Sequence, residues 1–218
     1  MLVHRSLFSG IVATLSLVAL TTAAHADEIY STFGPGDTYN TNVGHTISGA
    51  SSILGMTLRG AGSFTAAQNF ALTSIDLAAW HVIGSNSYNY SIVLDNGGLP
   101  TGTSIFSGNT SLASNPSIQS LGASGSLLAG NTYWLVLETT GDDWGAWNYS
   151  TSGATGIASD SGGGWNANPS GAAPAFRING RPQITTALTP EMPAGVQAIP
   201  VLLAVGGMAL YQRRKKNA

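Results

Sequence analysis

The chain has 218 residues, of which 43% are apolar and only 8% are charged, and it contains no cysteine. This length leaves room for one domain and its targeting segments. The lack of cysteine excludes a disulfide framework, a cysteine-ligated metal site and a cysteine nucleophile.

The N-terminal segment, residues 1–26, predicts a signal peptide. Arg5 supplies a cation, Leu7 to Leu20 is an apolar run, and Ala24 and Ala26 place small residues at the end. These features are typical of a Sec signal that signal peptidase cuts after Ala26. The alternative is an uncleaved N-terminal anchor, but the apolar run is short and small residues follow it directly.

The central part of the chain, residues 27–186, is predicted to be all-β. In the stretch SYNYSIVLD, Tyr88, Tyr90, Ile92 and Leu94 share one face, which indicates a half-buried strand. The glycines that follow, at positions 97 and 98, predict a tight turn, because glycine readily takes a positive φ.

Three further stretches refine this prediction. In FALTSIDLAAW the apolar parity slips, which suggests a bulge near Thr73 and Ser74. In TYWLVLE both parities are apolar, so this strand is expected to be central and covered on both faces, with Trp134 in the core. Trp147 is expected to be buried on a later strand. In the last strand, Phe176 and Ile178 are expected to share one face.

Short strands between turns predict an antiparallel two-sheet β-sandwich, jelly-roll-like, over residues 27–186. A signal helix (1–26) and a C-terminal transmembrane helix are expected to flank it. Residues 187–218 are interpreted as a linker, that helix and a basic tail. The stretch from Ser159 to Gly171 is expected to be a flexible surface loop unless Trp165 pins it.

The C-terminal segment predicts a single membrane span. Ala194 to Tyr211 carries no charge over 18 residues, and Arg213, Arg214, Lys215 and Lys216 follow at once. Such a run is just long enough to span a bilayer. Cations beside a span are retained in the cytoplasm, so the domain is expected outside. A buried C-terminal helix of a soluble domain would leave the basic cluster unexplained.

The cations are unevenly distributed along the chain. Between Asp27 and Leu188 there are three arginines, no lysine and nine acidic residues, which gives a net charge of −6 against −2 for the whole chain. An acidic exported part without lysine makes nucleic acid a poor partner.

The sequence predicts no catalytic residue and no cofactor. His45 and His81 lie far apart and have no ligand-like neighbours, so a zinc site is disfavoured. No serine occupies a G-x-S-x-G motif, and no glycine loop ends in Gly-Lys-Ser/Thr, so the nucleophile-elbow and nucleotide-binding interpretations fail.

One acidic cluster leaves three alternatives open. Glu138 ends the central strand, and Asp142 and Asp143 follow in the next loop. The first alternative is a catalytic carboxylate pair, and the second is a calcium site. The third, a solvated strand end, is favoured. Asp95 carries the same ambiguity, with a turn favoured.

Aromatic residues offer a second candidate site, a platform for sugar rings. Trp144 and Trp165 lie beside loop residues and are the better candidates for exposed rings. The strand context of Trp134 and Trp147 favours the core.

The C-terminus resembles the PEP-CTERM sorting signal of Gram-negative bacteria. Pro190 and Glu191, the apolar run and the terminal cations match its three parts. The third motif residue is usually proline and is Met192 here. The resemblance implies a membrane-anchored precursor that an exosortase-like protease recognises.

The body resembles the extracellular modules called choice-of-anchor domains, type R, over nearly all of residues 31–181. The resemblance implies surface display and carries no defined activity or catalytic residue. In chain order, the stretches that carry it are STFGPGDTYNT, FALTSIDLA, VLDNGGLPTG, LLAGNTYWLVLE, WGAWN, TGATG and AFRINGR.

Together these patterns predict an exported, non-catalytic β-sandwich of the bacterial envelope or exopolysaccharide matrix. Its expected partners are signal peptidase, a sorting protease, the membrane and exopolysaccharide. The alternative is an extracellular protein that binds or acts on polysaccharide, in the manner of a glycoside hydrolase.

Overall fold

The structure, a computed structural model, describes residues 27–183. They form two antiparallel sheets without a helix, which confirms the predicted all-β sandwich for this part of the chain. The expected signal and membrane helices lie outside it. The strands are β1 (Asp27–Ser31), β2 (Tyr39–Ser48), β3 (Arg59–Thr65), β4 (Phe70–Ile83), β5 (Tyr88–Leu94), β6 (Ser104–Thr110), β7 (Ile118–Gly122), β8 (Ser126–Leu127), β9 (Thr132–Glu138), β10 (Trp144–Ser150), β11 (Thr155–Asp160), β12 (Trp165–Ala172) and β13 (Phe176–Pro182).

The longest strand, β4, organises the seven-stranded sheet. The main order is β1-β13-β4-β10-β2, and β7 and β8 also pair with β4. With 14 residues, β4 pairs with β13 through its first half and with β10 near its end. The other sheet has six strands in the order β12-β11-β3-β9-β5-β6, so β9 is an interior strand as predicted.

The core lies between the sheets and follows the predicted alternation. Tyr88, Tyr90 and Ile92 of β5 are buried in it, and Phe176 and Ile178 of β13 meet them from the other sheet. Trp147, Tyr133, Leu135 and Leu137 are fully or almost fully buried in the same cluster.

The interior strand β9 is covered on both faces. Trp134 and Val136 alternate with its core residues and therefore point away from the core. They pack in a separate cluster with Ala61 and Ala158, and Trp134 is only 5% exposed. Trp134 is thus buried, as predicted, but on the outer side of its sheet.

The predicted bulge in β4 lies at Thr73. Asn179 of β13 is opposite Ser74, and the next residue, Gly180, is opposite Leu72, so Thr73 has no β13 partner. The extra residue shifts the side-chain parity. Leu72 and Ile75 therefore both reach the core although they are three positions apart.

Residues 159–171 are not the expected surface loop; the stated exception holds, because Trp165 packs against the outer face of the six-stranded sheet. This stretch belongs to the hairpin of β11 and β12, in which Asp160 is opposite Trp165. The carboxylate of Asp160 accepts hydrogen bonds from the N–H groups of Gly162 and Gly164, at 2.8 and 3.0 Å, and fixes the turn. Backbone pairing orders β12 despite its turn-like composition.

The two ends of the described chain leave the sandwich together. Asp27 pairs with Gly180, and the N–H of Gln183 donates to the carbonyl of Asn69 at 2.8 Å. We call this end the base. The distal end, about 40–45 Å away along β4, carries the loops 49–58, 84–87 and 139–143.

Candidate functional site

The two predicted aromatic platforms, Trp144 and Trp165, lie on different faces of the molecule. Trp144 is opposite Ser48 and Ile83 on the seven-stranded sheet and faces away from the buried Trp147. Trp165 packs on the outer face of the six-stranded sheet. Both indoles are partly exposed, but the sandwich separates them, so they do not form one platform.

Trp165 belongs to a charged cluster around Arg59. The guanidinium carbon of Arg59 lies 5.1 Å from the centre of a Trp165 ring, and Nη1 is 3.2 Å from Oε2 of Glu138. Nη2 pairs with the carboxylate of Asp160, whose side chain is only 1% exposed. Glu138 at the end of β9 is therefore held by an arginine, a contact that the sequence did not predict.

The electrostatics of Asp160 follow from this pairing. Burial alone raises the pKa of the carboxyl, because it disfavours the charged form. Hydrogen bonds from Arg59, Gly162 and Gly164 outweigh burial, so the pKa of Asp160 lies below its ordinary value. The carboxylate is an ionised, structural member of the hairpin.

Asp143 fastens the loop between β4 and β5. Its side chain is fully buried and accepts hydrogen bonds from the backbone N–H groups of Asn86 and Ser87 and from the hydroxyl of Thr139. Burial, and then the charge of Asp143, raise the pKa of Tyr88 above its ordinary value. The buried carboxylate thus has hydrogen-bond partners and ties the loop between β4 and β5 to the start of β10.

The other acidic candidates also have protein partners. The exposed Asp142 accepts bonds from the N–H and hydroxyl of Ser85, which lower its pKa. Glu138 is paired with Arg59. Within residues 27–183, no three histidine or acidic side chains are grouped to hold a metal ion. The expected solvated strand end fits the exposed Asp142 but not Asp143, which is buried and bonded to the loop between β4 and β5.

An opening lies on the outer face of the six-stranded sheet, and we call it the Trp134 cleft. Its volume is about 540 Å³, and it opens to solvent. Trp134 forms the floor, the loop after β5 forms one wall, and β12 forms the other. The lining residues are Ser63, Asp95, Gly97, Gly98, Leu99, Thr132, Trp134, Gly156, Ala167 and Pro169.

Asp95 builds this cleft. Its Oδ1 accepts the indole N–H of Trp134 at 2.6 Å, and its Oδ2 accepts the N–H of Gly98 at 3.0 Å. Gly97 and Gly98 have φ values of 66° and 84°, as the predicted turn requires. Asp95 therefore holds the floor of the cleft, Trp134, and one wall, at Gly98, in a fixed relation.

A second opening adjoins the first, and we call it the β5–β6 cleft. Its volume is about 400 Å³. Val93 in its lining is opposite Trp134 in the register of β5 and β9, so the two clefts meet at this pair. Its lining residues are Asn89, Tyr90, Ser91, Val93, Ser104, Ser107, Gly108 and Glu138.

Sequence reasoning missed these clefts because their lining comes from six strands spread over about a hundred residues. Two signals were available. The two-faced apolar pattern around Trp134 indicated that something covers the outer side of β9, and the polar parity of β5, with Asn89 and Ser91, marked an exposed polar strip.

Comparison with known proteins gives no assignment: no protein-family model matches this chain, and a search of the curated proteins finds no match.

The predicted targeting residues lie outside the described part of the chain. These are the cleavage-site residues Ala24 and Ala26, the motif from Pro190 through Glu191 to Met192, and the basic cluster from Arg213 to Lys216. Among residues 27–183, no helix is long and apolar enough to cross a membrane.

Proposed function

We propose that the protein is an exported, non-catalytic β-sandwich displayed in the envelope or exopolysaccharide matrix of a Gram-negative-type bacterium. Signal peptidase cuts after Ala26. Residues 187–218 then hold an inner-membrane precursor, from which an exosortase-like protease releases the domain at the Pro190–Met192 motif. The body resembles choice-of-anchor R domains, and the tail resembles PEP-CTERM signals.

The observation that carries this proposal is the position of the chain ends. Asp27 and Gln183 both lie at the base of the sandwich. An anchor that follows residue 183 thus tethers the domain by one end and leaves the distal end pointing away from the membrane. This arrangement suits display, because both chain ends lie at the end of the sandwich opposite the distal loops.

The state of the carboxylates supports a non-catalytic role. A glycosidase needs two carboxyl groups about 5–9.5 Å apart across the sugar. Here Glu138 and Asp160 pair with Arg59, and Asp142 and Asp143 cap the loop after β4. Each of these four groups has a structural partner.

We also infer that the sandwich is jelly-roll-like. The support is the strand order, with β2-β10-β4-β7 in one sheet and β3-β9-β5-β6 in the other. Strands β2 to β5 alternate between the sheets, and β9 and β10 return beside β3 and β2. A jelly roll has two such Greek keys.

Display is tested by cysteine labelling, for which this cysteine-free chain gives a clean background. Ser51→Cys lies at an exposed position of the distal loop. A membrane-impermeant maleimide is expected to label it in intact cells, and the cysteine-free chain is the control. Labelling of Ser51→Cys only after the inner membrane is lysed would contradict export.

The sorting step has its own test. Changing Pro190 and Glu191 to alanine is expected to leave insertion intact and to abolish the cut, so full-length protein accumulates in the membrane. Under simple anchoring, the mutant and the wild type would both remain full length. Immunoblots of membrane fractions separate the two outcomes.

A further inference from the structure

We propose that the Trp134 cleft and the β5–β6 cleft together form one groove that binds an uncharged polysaccharide chain. We call their union the outer groove. A polysaccharide ligand gives the proposed function a ligand class. The inference rests on that function only in that display outside the cell brings the protein to the polysaccharide.

The dimensions of the outer groove suit a polymer. Its lining extends from β12 to β6, across all six strands of the sheet. Neighbouring strands lie about 4.8 Å apart, so the groove is about 24 Å long. Its two parts, of about 540 and 400 Å³, fall in the range of ligand sites, about 300–1,000 Å³. A chain of several sugars matches this shape better than a single small molecule does.

The polar lining matches sugar hydroxyls. Ser91, Ser104 and Ser107 in one part, and Ser63 and Thr132 in the other, present hydroxyl groups. Each hydroxyl can donate and accept a hydrogen bond, which is also the property of a sugar hydroxyl. These side chains can therefore bind a neutral glycan without a buried charge.

The amide of Asn89 is fixed in the same strip. Nδ2 of Asn109 on β6 donates to Oδ1 of Asn89 at 3.0 Å and to the hydroxyl of Ser87 at 3.2 Å. This ladder orients the Asn89 amide at the edge of the groove. A fixed amide loses less side-chain entropy on binding than a mobile one.

The apolar part of the lining lies at the bottom. Trp134 is the floor, and Leu99, Ala167 and Pro169 flank it. Only 5% of Trp134 is exposed, so the apolar contact comes from the flanking Leu99, Ala167 and Pro169. A pyranose ring presents C–H groups on its faces and hydroxyls at its edge, and this apolar strip with its polar rim matches both.

The charges of the lining decide the ligand class. Asp95 and Glu138 are its two charged side chains, and no lysine, arginine or histidine lines either cleft within residues 27–183. Glu138 already has Arg59 as its partner, so a polyuronate or sulfated glycan would meet the carboxylate of Asp95, and neither lining offers it a cation to pair with. A neutral glycan avoids this repulsion.

The same two carboxylates are too far apart for hydrolysis. The N–H of Asp95 bonds to Thr132 at the start of β9, and Glu138 ends that strand. Six residues of strand separate these ends by about 20 Å, whereas glycosidases hold their carboxyls at about 5–9.5 Å. The groove therefore binds and does not cut.

Affinity electrophoresis of the full chain tests the proposal, in a non-ionic detergent without a sugar head group. The probes are dextran, a soluble β-glucan and a galactomannan as neutral polymers, and alginate as the polyuronate. We expect at least one neutral polymer to retard the wild type and alginate not to.

Variants locate the site. Ala167→Phe fills the Trp134 cleft and is expected to weaken retardation at least about tenfold, or 1.4 kcal/mol. Ala146→Phe makes the same change on the outer face of the other sheet and is expected to bind like the wild type. Ser91→Leu, in the β5–β6 cleft, is the second blocking variant, and far-UV circular dichroism verifies the fold of all three.

Three results would overturn the proposal: no retardation by any of the neutral polymers, retardation by alginate alone, or folded blocking variants that bind like the wild type. Failure here is distinguishable from failure of display, because the labelling of Ser51→Cys reports export whatever the groove binds.

Discussion

The indole nitrogen of Trp134 and Oδ1 of Asp95 lie 2.6 Å apart and form a hydrogen bond between β9 and the loop after β5. Trp134 is only 5% exposed although it lies on the outer face of a sheet. The bond gives the polar edge of the ring a charged acceptor, and the ring lies in a cluster with Ala61, Val93, Val136 and Ala158, against which Trp165 and Ala167 also pack. The same bond defines the floor and one wall of the outer groove.

Trp134→Ala is expected to cost about 3–5 kcal/mol of unfolding free energy, because it leaves a cavity in a closely packed cluster. Urea unfolding measures this cost. Trp144→Ala is the control, since that indole is partly exposed, and it is expected to cost less. A Trp134→Ala protein as stable as the wild type would show that the ring does not pack as described.

Arg59→Met is expected to lower the unfolding free energy at neutral pH by about 1–3 kcal/mol, since it leaves the buried carboxylate of Asp160 without its cation. The cost stays below that of a fully buried pair, because a third of the Arg59 side chain is exposed. Arg181→Met, at an exposed position of β13, is the control and is expected to change little.

The pH dependence of this loss has a definite sign. The folded pKa of Asp160 is lowered, so its contribution is present above the unfolded value of about 3.9 and is lost as the pH falls through the folded pKa. The difference between the wild type and Arg59→Met is therefore expected to shrink below about pH 4. A difference that stays constant there would argue against the ion pair as its source.

His45 is expected to make stability fall in mild acid. Burial lowers its pKa by more than the hydrogen bond between Nε2 and the carbonyl of Arg59 raises it. Below about pH 6.5 the unfolded chain binds a proton that the folded chain resists, so unfolding becomes easier.

Unfolding free energies at about pH 7.5 and 5.5 measure this effect. His45→Gln removes the titrating ring and is expected to lose less stability over that interval than the wild type. Equal losses in the two proteins would mean that the ring is not buried in its neutral form.

Calcium is expected to leave the protein unchanged. A ligand that binds only the folded state raises the melting temperature. Glu138, Asp142 and Asp143 each have protein partners instead. Thermal unfolding with excess calcium and with a chelator is therefore expected to give the same midpoint. A calcium-dependent rise that Asp142→Asn abolishes would restore the metal-site interpretation.

Local patterns predicted the local structure well. The alternation of Tyr88, Tyr90 and Ile92 indicated which side of β5 is buried, and the parity slip located the bulge at Thr73. Both signals come from neighbouring residues, whose directions a strand fixes without reference to the rest of the fold.

Such local patterns do not predict which strands pair with each other across long stretches of sequence. β2 pairs with β10, a hundred residues away, and no feature of either strand names its partner. β12 was missed because Asn, Pro, Ser and Gly dominate its sequence, and an edge strand needs little apolar burial. The outer groove was missed for the same reason: Asp95, Trp134 and Ala167 meet only once the sheet is assembled.

The intact mass of the protein recovered from the surface of its host tests export most directly. The account predicts a chain that begins at Asp27, and, where the sorting signal is used, one that ends before Arg213. A mass that retains both Met1 and Ala218 on surface-exposed protein would contradict cleavage at both ends and with it the proposed route to the surface.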